Sequence, residues 1–193
     1  MATVASSLTT PELLSLPGQK SFELVNGNLV EKSVGWRSTV ISGELFRRLS
    51  NYVVKNSLGL VAPGDASYLF PMEETPQVRR PDVSFVSAAK LLSAELPLAH
   101  ARFIPDLAVE VISPNDLAAE VFEKVNFYLT AGVRLVWVID PAARKASVYH
   151  PDGRGVIINA DDPLDGEEVV PGFRCKLREL LDVKDLLNGP IGE

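Results

Sequence analysis

Cysteine is nearly absent from this chain. Its 193 residues hold one, Cys175, which excludes an intrachain disulfide and a thiolate metal cluster and leaves a packed or partly exposed thiol. Histidine is almost as scarce, and His100 has no histidine or cysteine near it in sequence, so a metal role is not expected of it. No apolar run approaches the roughly 20 residues that a membrane helix needs, so no membrane association is expected. The opening MATVASSLTT lacks a basic region followed by an apolar one and does not resemble a secretory signal, which makes the cytoplasm the expected location. A basic surplus is missing too. The net charge is −6, and a chain of that sign is not built to coat nucleic acid indiscriminately; only Lys32 to Lys55 and the pair Arg79-Arg80 offer local basic patches. There are no internal repeats, low-complexity tracts or long linkers. With 46% hydrophobic and 23% charged residues, the composition is ordinary for a globular chain with a real core. The expectation is therefore one domain over residues 1–193, with residues 1–9 as a loose lead-in.

What is present is organised around Pro105 to Asp140. Leu107 to Ile112 is a short, β-branched apolar run that reads as a buried strand. Ser113-Pro114-Asn115 stops it and offers caps for a helix running to about Ala131, where Gly132 supplies a left-handed stop. A second strand, Leu135 to Ile139, follows at once. Strand, helix and strand in this space form a crossover unit with parallel strands and the helix on one face of the sheet.

Two residues break the pattern of such a unit. Glu110 places a carboxylate inside a strand that should be covered on both faces, where a charge must neutralise, pair or bind a metal. Lys124 is the second. At about 100° per residue, with Leu117 at zero, Val121 falls at about 40°, Tyr128 at about 20° and Lys124 at about −20°. The lysine thus lies in the apolar stripe, opposite Glu123, Asn126 and Thr130. Either residue alone has an ordinary explanation, a lysine that snorkels to water or a glutamate at a solvated sheet end. Together they converge from consecutive elements and point to a site.

Elsewhere the chain reads as follows. Thr10-Pro11-Glu12 starts a short helix ending near Pro17-Gly18. Phe22 to Val25 and Leu29 to Lys32 flank Asn26-Gly27 and form a tight hairpin. Apolar positions at helical spacing mark a helix from about Ser38 to Asn56, in which Glu44 lies four residues before Arg48 and suits an exposed ion pair. Gly59 to Ala62, Ser67 to Phe70 and Val83 to Val86 read as strands, and Met72 to Val78 as an exposed loop. Ala88 to Leu92 is a short helix. Ala146 to His150 and Val156 to Asn159 are further strands. Asp161 to Glu168 reads as a surface loop, and Gly172 to Leu187 as a closing strand and helix.

The site needs a second acidic ligand. Asp106 precedes Glu110 by four residues on the same strand, about 13 Å away at 3.3 Å per residue, too far to share one ion. Asp82 begins a different strand that can lie beside the first, although from spacing alone a turn role is slightly the better reading. Magnesium binds few protein carboxylates and keeps waters, leaving room for a phosphate oxygen and a nucleophilic water. An ammonium from Lys124 could orient or help deprotonate that water and offset phosphate charge.

The motifs also resemble a known family. Phe22-Glu23-Leu24-Val25-Asn26-Gly27 with Leu29-Val30-Glu31, Arg80-Pro81-Asp82-Val83, Pro105-Asp106-Leu107 through Glu110-Val111-Ile112-Ser113-Pro114, Glu123-Lys124 with Tyr128, Ala131-Gly132-Val133, Trp137 and Asp140-Pro141 resemble the Uma-type family. Its members are restriction-endonuclease-like proteins of the PD-(D/E)xK nuclease superfamily. The resemblance covers residues from about 10 to 181. It implies a restriction-endonuclease-like α/β (α+β) fold, a mixed sheet flanked by helices with an N-terminal β-hairpin. It further implies Asp82 and Glu110 as metal ligands, Mg²⁺ or Mn²⁺ as cofactor, and Asp82, Glu110 and Lys124 as the catalytic trio of a DNA endonuclease acting as a homodimer. The superfamily pattern puts its lysine two residues after the strand carboxylate, where this chain has Ile112; the resemblance implies that Lys124 replaces it. Glu31 and Glu44 are further candidate ligands, and Arg37 stands where many relatives carry a histidine. Two other readings compete: a catalytically inactive nuclease-fold module that binds or regulates, and hydrolysis of another phosphoester.

Overall fold

The computed structural model describes residues 22–33, 35–71 and 77–187. Strands β1 (Phe22–Val25) and β2 (Asn28–Glu31) form the hairpin, turned by Asn26 and Gly27 at φ values of 49° and 77°. Positive φ at both positions is what Asn-Gly supplies at low cost. Helix α1 (Trp36–Lys55) follows, then β3 (Gly59–Pro63), β4 (Tyr68–Phe70), β5 (Gln77–Arg79), β6 (Val83–Ser87) and the short α2 (Ala88–Leu92). Next come β7 (Leu107–Val111), α3 (Ala118–Thr130), β8 (Leu135–Asp140), β9 (Lys145–Tyr149) and β10 (Gly155–Asn159). The last elements described are β11 (Pro163–Asp165), β12 (Arg174–Lys176), α4 (Leu177–Leu181) and a 3-10 turn over Val183–Leu187.

The main sheet has six strands in the order β10-β9-β8-β7-β6-β3. Only β7 and β8 run parallel, joined by α3 as the crossover helix; the other neighbours are antiparallel. This is the mixed sheet flanked by helices that the sequence predicts. Its two faces carry separate apolar clusters, because side chains alternate along each strand. Leu107, Val109 and Val111 face one cluster with Ile41, Leu45 and Leu49 of α1 and Leu177, Leu180 and Leu181 of α4. Ala108 faces the other, with Val125, Phe127 and Tyr128 of α3. By the same alternation Glu110 points to the α3 face. Burying each large aliphatic side chain contributes about 1.5–3 kcal/mol, so this double packing fixes which way the glutamate faces.

The structure differs from the sequence reading in four places. The hairpin does not stand alone: it joins β5 and β4 in a second sheet, ordered β2-β1-β5-β4. Gln77 and Val78, read as the end of an exposed loop, form with Arg79 a buried strand of that sheet. Pro163 to Asp165, read as surface loop, pairs with β12 and buries Leu164. Helix α3 starts at Ala118 rather than at the Ser113-Pro114-Asn115 stop, because the Asp116 carboxylate accepts from the Ser113 amide and closes a turn first. The helix expected near Thr10 to Gly18 lies outside the described residues.

Candidate active site

Strands β6 and β7 are antiparallel neighbours with Val83 opposite Val109. Asp82, one residue before β6, therefore arrives next to Glu110. Its amide donates to the Val109 carbonyl at 2.8 Å, and its Oδ2 accepts from the Val111 amide at 2.7 Å. The other oxygen, Oδ1, pairs with Lys32 Nζ at 2.7 Å, and the same ammonium donates to the Arg80 carbonyl.

Glu110 is held at both oxygens by α3. Lys124 Nζ lies 3.2 Å from Oε2, and the Tyr128 hydroxyl donates to Oε1 at 2.8 Å. The two donors are four residues apart and so share one helix face. Burial pushes the Glu110 carboxyl upward, and Asp82 and Glu23 add to this, while Lys124 and Lys32 pull against it. Burial also works against a charged Lys124, but the carboxylates of Glu110, Glu23 and Asp82 outweigh it and hold the ammonium well above its ordinary range.

A third carboxylate completes the group. Glu23 of β1 is 2% exposed, with Oε1 accepting from the Arg80 amide at 2.8 Å and Oε2 lying 3.5 Å from Arg79 and 3.8 Å from Lys124. Burial raises its pKa, yet Lys124, Arg79, the Arg80 amide and Lys32 together bring it below the usual carboxylate range. Arg79 is itself fixed by Gln77 and by stacking over the Phe127 ring at 4.6 Å.

Asp82, Glu110 and Lys124 thus line one cleft of about 280 Å³, together with Glu23, Lys32 and Arg79. The trio singled out in the sequence is brought together. Glu31 also lines this cleft, exposed at its mouth. Glu44 does not. It is buried on α1, bonded to Arg47 and Arg48, so it forms the ion pair with Arg48 but is not exposed. Asp106 sits at the other end of β7, paired with Lys90 and accepting from the Ser87 amide. Arg37 is exposed and exerts its charge on Asp182. His100 bonds to Ser67.

Sequence reasoning missed Glu23, Lys32 and Arg79 as parts of the cleft. A signal existed for Glu23, a carboxylate in an apolar strand like Glu110. Lys32 at the end of a hairpin gave none. Among the described residues no group of three or more His, Cys, Asp and Glu side chains is disposed to hold a metal. Of the carboxylates that line the cleft, Asp82 and Glu110 are the pair brought side by side by adjacent strands, and the donor set is oxygen only. It fits a hard ion that retains most of its waters and does not fit a zinc-type nitrogen and sulfur cage.

The profile of the Uma2 family, described as "Putative restriction endonuclease", matches residues 10–183. No curated protein matches the chain. Among solved structures, the fold is similar to a crystal structure described as a putative nuclease belonging to DUF820 from Anabaena variabilis ATCC 29413. The TM-score is 0.77 at 18% identity, over 90% of this chain and 97% of that one.

Proposed function

Because this chain belongs to the Uma2 family, we propose that it is a magnesium-dependent DNA endonuclease hydrolysing phosphodiester bonds at the cleft between β6, β7 and α3. The observation that carries this reading is the meeting of Asp82, Glu110 and Lys124 from two neighbouring strands and a helix. Asp82 and Glu110 would hold the ion, with Mn²⁺ as a substitute. When bound, it would supply Lewis-acid polarisation of a phosphate oxygen and a lowered pKa for a coordinated water.

The chain's own residues have separate tasks. Tyr128 and Lys124 fix the plane of the Glu110 carboxylate, and the Val111 amide fixes that of Asp82. The Lys124 ammonium, kept charged by its carboxylate neighbours, suits a donor that orients a nucleophilic water and offsets charge gathering on the phosphate. Arg79 and Lys32 add positive charge around the same point. A homodimer would present one such site to each strand of a duplex; a single-chain mass by sedimentation equilibrium at all concentrations would remove that part.

The test is plasmid cleavage with Mg²⁺ or Mn²⁺ by the wild type and by Lys124→Ala. The expected result is a loss of about 10²–10³-fold in the variant, the usual cost of removing one preorganised donor. Equal cleavage by both proteins would overturn the assignment. A second reading, a nuclease fold that binds without cutting, is favoured by one observation: both candidate ligands already have ammonium partners. Absence of cleavage alongside retained DNA binding would support it.

A further inference from the structure

The two lysines of the cleft are not equivalent. Lys124 lies among Glu110, Glu23 and Asp82, and its hydrogen bond goes to Glu110, whose other oxygen is held by Tyr128. Among the described residues the ion pair of Lys32 is with Asp82, through the oxygen that the Val111 amide leaves over, and its pull on Glu110 and Glu23 comes after that of Lys124. Its side chain is 11% exposed, so the pair is largely withdrawn from water and its attraction is weakly screened. The ammonium therefore stands against an oxygen that a divalent ion would use. Two cations cannot share that oxygen without strong repulsion.

The surroundings also give Lys32 somewhere to go. The Arg80 carbonyl, 2.7 Å from Nζ, anchors the ammonium independently of Asp82. Lys32 and Asp82 form the wall between the first cleft and a second one of about 360 Å³, lined by Ser38, Thr39, Ser42 and Gly64. Gly64 has no side chain to fill the space near Nζ; a Cβ there would come within 3.5 Å of it.

We propose that Lys32 is the resident counter-cation of the site: its ammonium occupies the Asp82 carboxylate in the metal-free protein and must leave it for a divalent ion to bind. This rests on the metal-dependent reading above. Lys32 then acts as a positioning residue, keeping Asp82 in place between metal-bound states at the expense of metal affinity. A purely structural lysine makes the opposite prediction, since its loss would loosen Asp82 and weaken binding.

The test is Mn²⁺ binding, measured by calorimetry and by the electron spin resonance signal of free Mn²⁺, on the full chain and three variants. Lys32→Gln keeps a donor for the Arg80 carbonyl without charge, Lys32→Met is a second neutral form, and Lys32→Arg keeps the charge. Both neutral variants should bind Mn²⁺ about tenfold or more tightly than wild type, because a nearby like charge has been removed. Each should also show a larger Mn²⁺-induced rise in melting temperature. Lys32→Arg should stay near wild type. Equal or weaker binding by the neutral variants would overturn the proposal, and so would failure of every form to bind Mn²⁺, which would also remove the metal reading. Tighter binding without plasmid cleavage would leave Lys32's role standing and sink catalysis instead.

Discussion

Replacing Tyr128 by Phe removes one atom, the hydroxyl oxygen that donates to Glu110 Oε1 at 2.8 Å. Tyr128 is fully buried, with Phe70 and Phe127 against its ring at centroid distances of 6.1 and 5.9 Å, so the phenylalanine ring keeps its packing. What is lost is one hydrogen bond to a charged, buried acceptor. Such bonds contribute about 1.5–3 kcal/mol, and the oxygen left without its donor belongs to a buried side chain. In a chain of this size each kcal/mol moves the melting temperature by about 2–4 °C. The expected fall is therefore about 3–12 °C, with a lower urea midpoint and an unchanged m-value. The same change made in a Glu110→Met background should cost much less, since the hydroxyl there has lost its acceptor. Circular dichroism melts of the two single variants and the double variant measure the coupling directly. A loss below about 0.5 kcal/mol from Tyr128→Phe alone would show that Glu110 is not held from this side.

Two further outcomes follow from the surrounding framework. Burial raises the Asp106 pKa, but the Lys90 ammonium and the Ser87 amide outweigh it and hold it below its ordinary value. A depressed folded-state pKa stabilises the fold above the unfolded value and loses that contribution as pH falls through the folded one. Acid titration of unfolding free energy should thus steepen below about pH 4, and Asp106→Asn should flatten that limb; unchanged curves would refute the pairing. Gly59 has φ of 153°, and a Cβ there would meet the Val86 carbonyl oxygen at 2.1 Å. Gly59→Ala should cost about 3 kcal/mol or more in denaturant melts by prising β3 from β6, and a near-neutral result would show that this edge of the sheet can relax.

The crossover unit was legible because its signals are local: an apolar run, a helical stripe ended by Gly132 and a second run within one short segment. Lys124 was legible for the same reason, since a helical wheel needs only neighbours along the chain. Asp82 was only half legible. Its role depends on β6 lying beside β7, and strand adjacency is a long-range fact that a turn-like Pro-Asp does not announce. The second sheet was legible only in pieces: its hairpin and β4 were read as separate strands, but the strand β5 that joins them was not. Gln77-Val78-Arg79 is short and polar at both ends, and its burial comes from pairing with β1 and β4 rather than from its own hydrophobicity. Arg79 and Lys32, which reach the cleft only through that joining, stayed hidden with it, while Glu23 left a local signal that went unread.

Both grips on Glu110 come from a single rod. Since Lys124 and Tyr128 are successive turns of α3, any tilt or slide of that helix carries the two together and swings the carboxylate as a unit. Its aim is thereby delegated to the aromatic bed on which the helix rests, where Phe70 meets Phe127 at 5.0 Å. Residues that never enter the cleft hold the tiller, and a strand-borne lysine, fixed to the sheet itself, would have offered no such linkage.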